Sequence, residues 1–372
     1  MKFLIVNMDY PKFLRSLYSN HTGLENRSYD EQMRVRMASL FETADFYSNN
    51  LRKLGHEAWG VHVNNEFAQK AWAREHGIRI SVNPLWRLRI RSRRFPWLGL
   101  EPWPRWIYEI LEAQIKHFKP DVVLNKSIAL SSQFFREVKP YIRLLVGQHA
   151  SPLPEGEDFS VYDLMISSLP NLVNFFRQQG LSSELHRLGF EPSVRDRLEG
   201  GEKTKAVTFV GSLFSVHASR RKWLDHVCRQ VGVEVWGHGL DEFPEDSPVL
   251  QNYHGTAWGL EMYRILRSSR ITLNHHIDMA ESYANNLRLY EATGVGALLI
   301  TDWKENLSEM FEPGKEVVVY QGAGECVELI RYYLENDDEL QTIASAGQQR
   351  TLREHNYYTR MQELVDIVYK YL

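Results

Sequence analysis

The sequence predicts an α/β fold built from two parallel-sheet domains that face each other across a cleft. Three observations predict it. The chain has 372 residues, more than one hydrophobic core usually serves. Short apolar runs alternate with amphipathic stretches along both halves, the pattern of successive βα units. That alternation breaks once, near the middle, and then starts again.

In order along the chain, residues 2–7 (KFLIVN) read as a buried strand, and a polar, irregular stretch runs from 9 to about 30. Met37, Leu40, Phe41, Ala44, Tyr47 and Leu51 then space as one long helix, closed by Gly55 as a C-cap glycine. Residues 56–63 supply a second strand. A helix near 106–118 and strands at 121–125, 142–146 and 163–167 follow, with helix-like segments between them. EPSVRDRLEGGEKTK, at 191–205, has almost no large apolar group and carries a Gly-Gly pair, so 191–204 reads as a linker between domains 1–190 and 205–355. Beyond it strands fall at 206–210, 233–236, 271–274, 297–301 and 316–320, with helices at 220–230, about 260–268 and around 286–293. Three helical periods close the chain at 326–336, 338–354 and 359–369.

Composition excludes several classes of function. With 44 basic against 47 acidic residues the formal charge is -3, which gives no global attraction to nucleic acid. Cys228 and Cys326 are the only cysteines, too few for a disulfide framework and without zinc spacing, so a reducing compartment fits. The apolar opening is shorter than a signal segment and Asp9 follows it directly; no membrane-length apolar run occurs, and a cytoplasmic protein is expected.

The stretch NNLRLYEATGVGALLITD, beginning at Asn285, carries the clearest chemistry. A helix opened by Asn286 presents Arg288 and Glu291 on one face, ends in glycines, and leads into a strand with an aspartate at its tip. Backbone N–H groups at such a helix start can meet a diphosphate, a carboxylate there can accept from ribose hydroxyls, and arginine neutralises phosphate. Equally, Arg288 and Glu291 can be an ordinary i,i+3 surface pair. Gly211 and Ser212 end the first strand of this half, and Arg220 opens the helix after it, where it can neutralise phosphate charge or lie on a solvated face. No Asp-x-Asp cluster sits at a strand end, so no metal is expected.

His276 ends one strand (LNHH) and His149 another (LLVGQHASP), at the edge where ligands of open α/β sheets bind. His276 is a candidate to contact sugar or diphosphate. His149 and Asp9 are candidate bases for an acceptor hydroxyl, with Glu25 and Asp30 as rivals. Finally, LWRLRIRSRRFPWLGLEPWPRW at 85–106 mixes Arg89, Arg91 and Arg94 with Trp97 and Trp103. That patch suits an acidic acceptor, a protein partner or a peripheral contact with the inner membrane face; its Arg-Leu-Arg-Ile-Arg alternation also suits an edge strand protected by charge.

The segment from Asn285 to Tyr320, with Glu291-Ala292, Gly294, Gly296, Phe311, Gly314 and Glu316, resembles the donor-binding region of GT-B glycosyltransferases, and most closely their CgeB-like group, related to glycosyltransferase families 1 and 4. The resemblance extends through TFVGSL at 208–213, HGTAWGLEMYRILRSSRITLNHH at 254–276 and HNYYTRMQELVDIV at 355–368, and covers most of the second half. It implies two Rossmann-like domains, the first binding the acceptor and the second the donor, with the last helix (356–372) packed back on the first domain. It implies transfer of a sugar from a nucleoside diphosphate, UDP favoured, to a glycan, protein or small-molecule hydroxyl, without cofactor. Glu291 would bind the donor ribose, and Gly211 with Ser212 would let a loop approach the nucleotide. The sequence departs from the retaining relatives at Tyr283, where they often carry a second glutamate, which leaves the stereochemical outcome open. A nucleotide-sugar epimerase, or a non-catalytic nucleotide- or sugar-binding protein, are the alternatives on the same architecture.

Overall fold

The computed structural model describes residues 1–81, 83, 86–91, 95–100, 103–126, 128–154, 157–198, 200–214, 218–284 and 286–372, with backbone alone for 86–91 and 95–100. The strands are β1 (Lys2–Asn7), β2 (Glu57–His62), β3 (Trp86–Arg91), β4 (Phe95–Leu100), β5 (Val122–Asn125), β6 (Leu144–Gln148), β7 (Leu164–Ser167), β8 (Ser183–Leu185), β9 (Lys205–Ser212), β10 (Glu234–His238), β11 (Ser269–Leu273), β12 (Leu298–Asp302) and β13 (Val318–Tyr320). The helices are α1 (Pro11–Asn20), α2 (Tyr29–Ala38), α3 (Phe46–Lys53), α4 (Glu66–Glu75), α5 (Arg105–Phe118), α6 (Ser132–Val138), α7 (Pro170–Gln178), α8 (Ala218–Cys228), α9 (Pro248–Gln251), α10 (Leu260–Ser268), α11 (Leu287–Val295), α12 (Ala323–Glu335), α13 (Asp337–Glu354) and α14 (Tyr357–Tyr369).

Two parallel sheets carry the fold. The first runs β2-β1-β5-β6-β7-β8 and the second β10-β9-β11-β12-β13. Because helices cover both faces, the central strands are buried throughout and largely apolar, with polar residues at their carboxyl ends: every residue of β5, β7 and β12 is buried. In each sheet the strand order reverses beside the first strand, between β1 and β5 and between β9 and β11. A crevice opens at the carboxyl ends of such strands, and ligands of this topology bind there. The β3–β4 hairpin forms a separate antiparallel pair, with Arg89 opposite Trp97 and Arg91 opposite Phe95.

The two sheets are not independent lobes. One core joins Phe3, Ile5, Phe46 and Tyr47 of the first to Tyr263, Leu289, Tyr290 and Met361 of the second. The chain crosses between them twice, side by side, where the amide of Phe190 donates to His355 O (2.8 Å) and that of Tyr357 to Phe190 O (2.9 Å). From there α14 lies on α3, with the Tyr357 ring 5.3 Å from Phe46 and 5.5 Å from Tyr47.

The expected long helix over Met37–Leu51 is instead two helices with a bent connection, and the expected irregular stretch holds α1 and the start of α2. Ser28 and Glu31 form a capping box that starts α2 early. At its end Ser39 turns its hydroxyl back to Arg36 O (2.6 Å), and Leu40, Glu42 and Ala44 take left-handed φ values of 56°, 52° and 34°. Leu40 and Ala44 are buried, but in the shared core rather than on a helix face.

Candidate active site

The second sheet brings its candidates together at the carboxyl ends of β9, β11 and β12. Arg220, on the first turn of α8, is nearly buried; its Nη1 donates to Ser212 O and its Nε to His275 O, both at 2.9 Å. The guanidinium thus bridges the strands on either side of the switch point. Nη2 has no protein partner among the described residues, and one edge of the fork is free for an anion. Burial lowers its pKa to about 10, with Asp302 opposing, so it stays a cation at neutral pH. Neighbouring Arg221 is committed to Glu242, at 2.5 Å.

Gly211 and Ser212 end β9, but the close approach there is made by Gly237 in the paired strand. It has φ +157°, and a Cβ on it would lie 1.9 Å from Gly211 O. The sequence reading missed Gly237; the Trp-Gly-His-Gly run at 236–239 was its only signal.

His276 and Asp302 form a buried dyad. The carboxylate Oδ1 accepts from the His276 backbone N–H at 3.0 Å and lies 2.7 Å from the ring Nδ1. Burial would raise the Asp302 carboxyl, but His276, His275 and Lys304 outweigh it and hold the pKa far below the usual carboxylate range. Imidazole Nε2 is buried without a partner. A buried ring nitrogen without a partner can still make one hydrogen bond, to a hydroxyl or a phosphate oxygen.

Asn286 caps α11, its Oδ1 accepting from Leu289 N (3.2 Å) while its Nδ2 donates to Asn274 Oδ1 (2.8 Å). Its side chain is therefore used inside the protein. On α11, Arg288 Nη1 and Glu291 Oε2 are 3.0 Å apart, and their side chains are only 12% and 6% exposed. The contact is electrostatic: neither Nη1 nor Nε of Arg288 has a hydrogen-bond partner. Burial raises the Glu291 pKa, against the Arg288 charge and the Tyr263 hydroxyl, which lower it. The pair is buried, not a surface pair.

In the first sheet the candidates scatter. Asp9 is sealed in, with Nε and Nη2 of Arg36 at 3.2 and 2.5 Å and His62 Nδ1 at 3.0 Å. Burial raises its pKa, but His62 and Arg36 prevail and push it far down, which makes it a poor base. His149 is half-buried, its Nε2 3.2 Å from Pro152 O, and burial lowers its pKa. Glu25 lies in a short turn after α1 and Asp30 in the first turn of α2. Trp103 is not a free ring: its Nε1 donates to Ala129 O at 3.0 Å and it packs on the first core. Arg89, Arg91 and Trp97 lie in the β3–β4 pair, described for backbone alone, and Arg94 lies outside the described residues. A cavity of ≈ 660 Å³, lined by Met33, Trp59, Trp72 and Phe118, runs along the open edge of β2 and contains none of the donor-side candidates. Among the described residues no group of three or more acidic, histidine or cysteine side chains is placed to hold a metal, and no helix is long and apolar enough to cross a membrane.

Two sheets of this topology facing across a cleft define the GT-B architecture, and solved structures of that class superpose on the whole chain. Anabaena Alr3699/HepE in complex with UDP-glucose matches with TM-score 0.58 at 13% identity, covering 100% of both chains. Sucrose-phosphate synthase from Thermosynechococcus elongatus matches with TM-score 0.55 at 10% identity, covering 100% of this chain and 98% of that one. AviGT4, a glycosyltransferase involved in avilamycin A biosynthesis, matches with TM-score 0.54 at 14% identity over 98% and 96%. A family model described as glycosyl transferase-like matches residues 220–366, which hold Arg220, His276, Arg288, Glu291 and Asp302. No curated protein matches the sequence.

Proposed function

We propose that this protein is a glycosyltransferase of the CgeB-like kind, which moves a sugar from a nucleoside diphosphate, UDP before others, to an acceptor hydroxyl without a metal. Residues 205–355 bind the donor and residues 1–190 the acceptor. The observation that carries the reading is the buried Arg288–Glu291 pair on α11, in the same sheet-end crevice as Arg220 and the His276–Asp302 dyad. Glu291 accepts from the ribose hydroxyls, and Arg220 meets the diphosphate with its free edge. His276 Nε2 takes a hydroxyl of the donor sugar or a phosphate oxygen. Negative charge grows on the diphosphate as the glycosidic bond breaks, so a cation already fixed and desolvated there stabilises the transition state more than the ground state. The UDP and UDP-glucose complexes of HepE favour UDP in the same architecture.

The test is a thermal-shift series with UDP, GDP, dTDP, ADP and CMP, with and without magnesium, on wild type and Glu291→Ala. UDP at about 100 times its Kd stabilises by about 2.7 kcal/mol, a readily measured rise in Tm. The expected result is a rise with UDP in the absence of metal, abolished in Glu291→Ala. If no nucleotide raises the Tm at millimolar concentration, the donor site is not there.

A further inference from the structure

The bent connection at residues 39–45 holds three of the five non-glycine residues with positive φ among the described residues, and it lies where the two sheets meet. Three of its residues, none of them glycine, take left-handed φ values, which cost about 1–2 kcal/mol each and persist only where their surroundings enforce them. The enforcement is visible on both sides. Leu260 N, from the second sheet's side, donates to Ser39 O at 2.8 Å. Arg36 Nη1 donates to Phe41 O at 3.3 Å, and Lys126 Nζ donates to Thr43 Oγ1. Outliers of this kind cluster at functional sites.

What the strain achieves is the placement of Glu42. Its carboxylate keeps some access to solvent. Among the described residues it accepts no hydrogen bond and stands in no ion pair within 4.0 Å. Four charged groups act on it electrostatically: Lys126, Asp9 and Arg36 from the first sheet, and Glu291 from the second. Lys126 and Asp9 follow β5 and β1, the strands on either side of the first sheet's switch point. Asp9 and Arg36 neutralise each other, and Lys126 is held over the Tyr47 ring at 4.3 Å. Glu42 is thus a carboxylate without a partner among the described residues, placed at the seam between the sheets and within electrostatic reach of the donor-side carboxylate Glu291.

We propose that Glu42 is the base that takes the proton of the acceptor hydroxyl, with Lys126 as the residue that positions it and tunes its charge. This rests on the glycosyltransferase reading above. The acceptor O–H bond breaks with its proton passing to the Glu42 carboxylate. The acceptor oxygen bonds to the anomeric carbon, and the bond from that carbon to the diphosphate oxygen breaks with its electron pair leaving on the nucleoside diphosphate. The proton then returns to water. Burial raises the Glu42 pKa, with Lys126 opposing, and burial lowers that of Lys126, with Glu42 opposing; each group is moved toward neutrality, where general-base catalysis is most effective.

Water serves as the acceptor in the test, with azide as a nucleophile that carries no proton to remove. UDP release from UDP-glucose and other UDP-sugars is measured for wild type, Glu42→Gln and Lys126→Met, alongside UDP binding by thermal shift. The expected result for Glu42→Gln is unchanged UDP binding, UDP release lowered about 100-fold or more, and release restored by molar azide with formation of the glycosyl azide. For Lys126→Met, loss of the cation moves the acidic limb of the kcat/KM profile to higher pH, which a purely structural lysine would not do. Unchanged hydrolysis in Glu42→Gln overturns the assignment, as does failure of azide to restore release while UDP still binds. Absence of UDP binding or UDP-sugar turnover by the wild type overturns the glycosyltransferase reading itself, a different result from either.

Discussion

Replacing Arg288 with methionine separates a buried donor-site pair from a solvated helix face. A surface i,i+3 pair is worth roughly 0.2–0.5 kcal/mol, and its loss is scarcely measurable. The structure gives a different number. With 12% and 6% exposure, the partners are nearly out of water, and removal of the arginine leaves the Glu291 carboxylate buried with only the Tyr263 hydroxyl to solvate it. Breaking such a pair costs about 3–5 kcal/mol when the survivor stays charged. Glu291 escapes that cost by taking a proton, so the loss depends on pH.

Burial has already raised the Glu291 pKa above its usual value, and Arg288 is the main group holding it down. In Arg288→Met the folded-state pKa rises further, and each unit adds about 1.4 kcal/mol of preference for the protonated form. Between the unfolded value near 4.3 and the raised folded value, the folded variant binds more protons than the unfolded chain, so its stability falls as pH rises through that window. Urea unfolding at pH 5 and pH 7.5 reads this directly. The deficit against wild type is small at pH 5 and grows to roughly 3 kcal/mol at pH 7.5. A deficit below about 0.5 kcal/mol at both values, or one equal at both, would refute the burial argument and return Arg288 and Glu291 to the surface.

Gly237→Ala places a methyl 1.9 Å from Gly211 O and forces strands β9 and β10 apart; overlap and backbone strain together cost roughly 2–6 kcal/mol. Chemical denaturation should show that loss, and UDP-induced stabilisation should weaken with it, because the displaced carbonyl lies beside the Ser212 oxygen that holds Arg220. Asp302→Asn removes the carboxylate that accepts from the His276 ring and backbone N–H and costs about 1–3 kcal/mol at pH 7. The depressed Asp302 pKa contributes stability above the unfolded value near 3.9, which is lost as pH falls toward the folded pKa. The stabilities of Asp302→Asn and wild type should therefore begin to approach each other only as pH falls below about 4 and meet well below it.

The parallel sheets were legible because a strand covered on both faces reads as a continuous apolar run, and FLIV, VVL and ALLI are such runs. The same property hid the bend after α2. Leu40, Phe41 and Ala44 repeat at helical spacing, yet they are apolar because they enter packed clusters. Arg288 and Glu291 were legible as a pair since three residues separate them on one helix, but their burial was not, because Tyr263 and Met262 reach them from α10. The Asp302 tip was visible as a strand end; its partner His276 stands 26 residues away, a distance that local periodicity does not record. Lys126 meets Thr43 across 83 residues, and no spacing rule could join it to Glu42. Asp9 shows the converse error. A carboxylate just past the first strand is well placed for chemistry, but Arg36 on α2, 27 residues away, turns inward to neutralise it.

The cleft in this structure is closed, and three contacts close it. Gly259, with φ +50°, lets the start of α10 approach until a Cβ there would lie 1.9 Å from Ser39 O, which brings the Leu260 amide onto that carbonyl. Trp258 packs beside it on Phe41, 5.0 Å between ring centres. Further along, Ile277, Met279 and Tyr283 pack on the first sheet's core around buried Ala280, and Asn171 Nδ2 donates to Met279 O at 3.0 Å. These contacts hold the 39–45 bend, and Glu42 with it, against the second sheet, within electrostatic reach of Glu291. If they also hold the donor crevice shut, donor binding requires these contacts to part, and exchange at their amides reads it. The paired crossings at Phe190 and Tyr357 are the pivot, since they are the covalent links and are bonded to each other. Amide hydrogen exchange distinguishes the two regions: Leu260 should exchange with every opening and Phe190 and Tyr357 should remain protected, with UDP slowing Leu260 alone. Equal protection at all three sites would mean that the cleft does not open as a rigid-body hinge, and that the donor enters by local unfolding of the 277–283 segment instead.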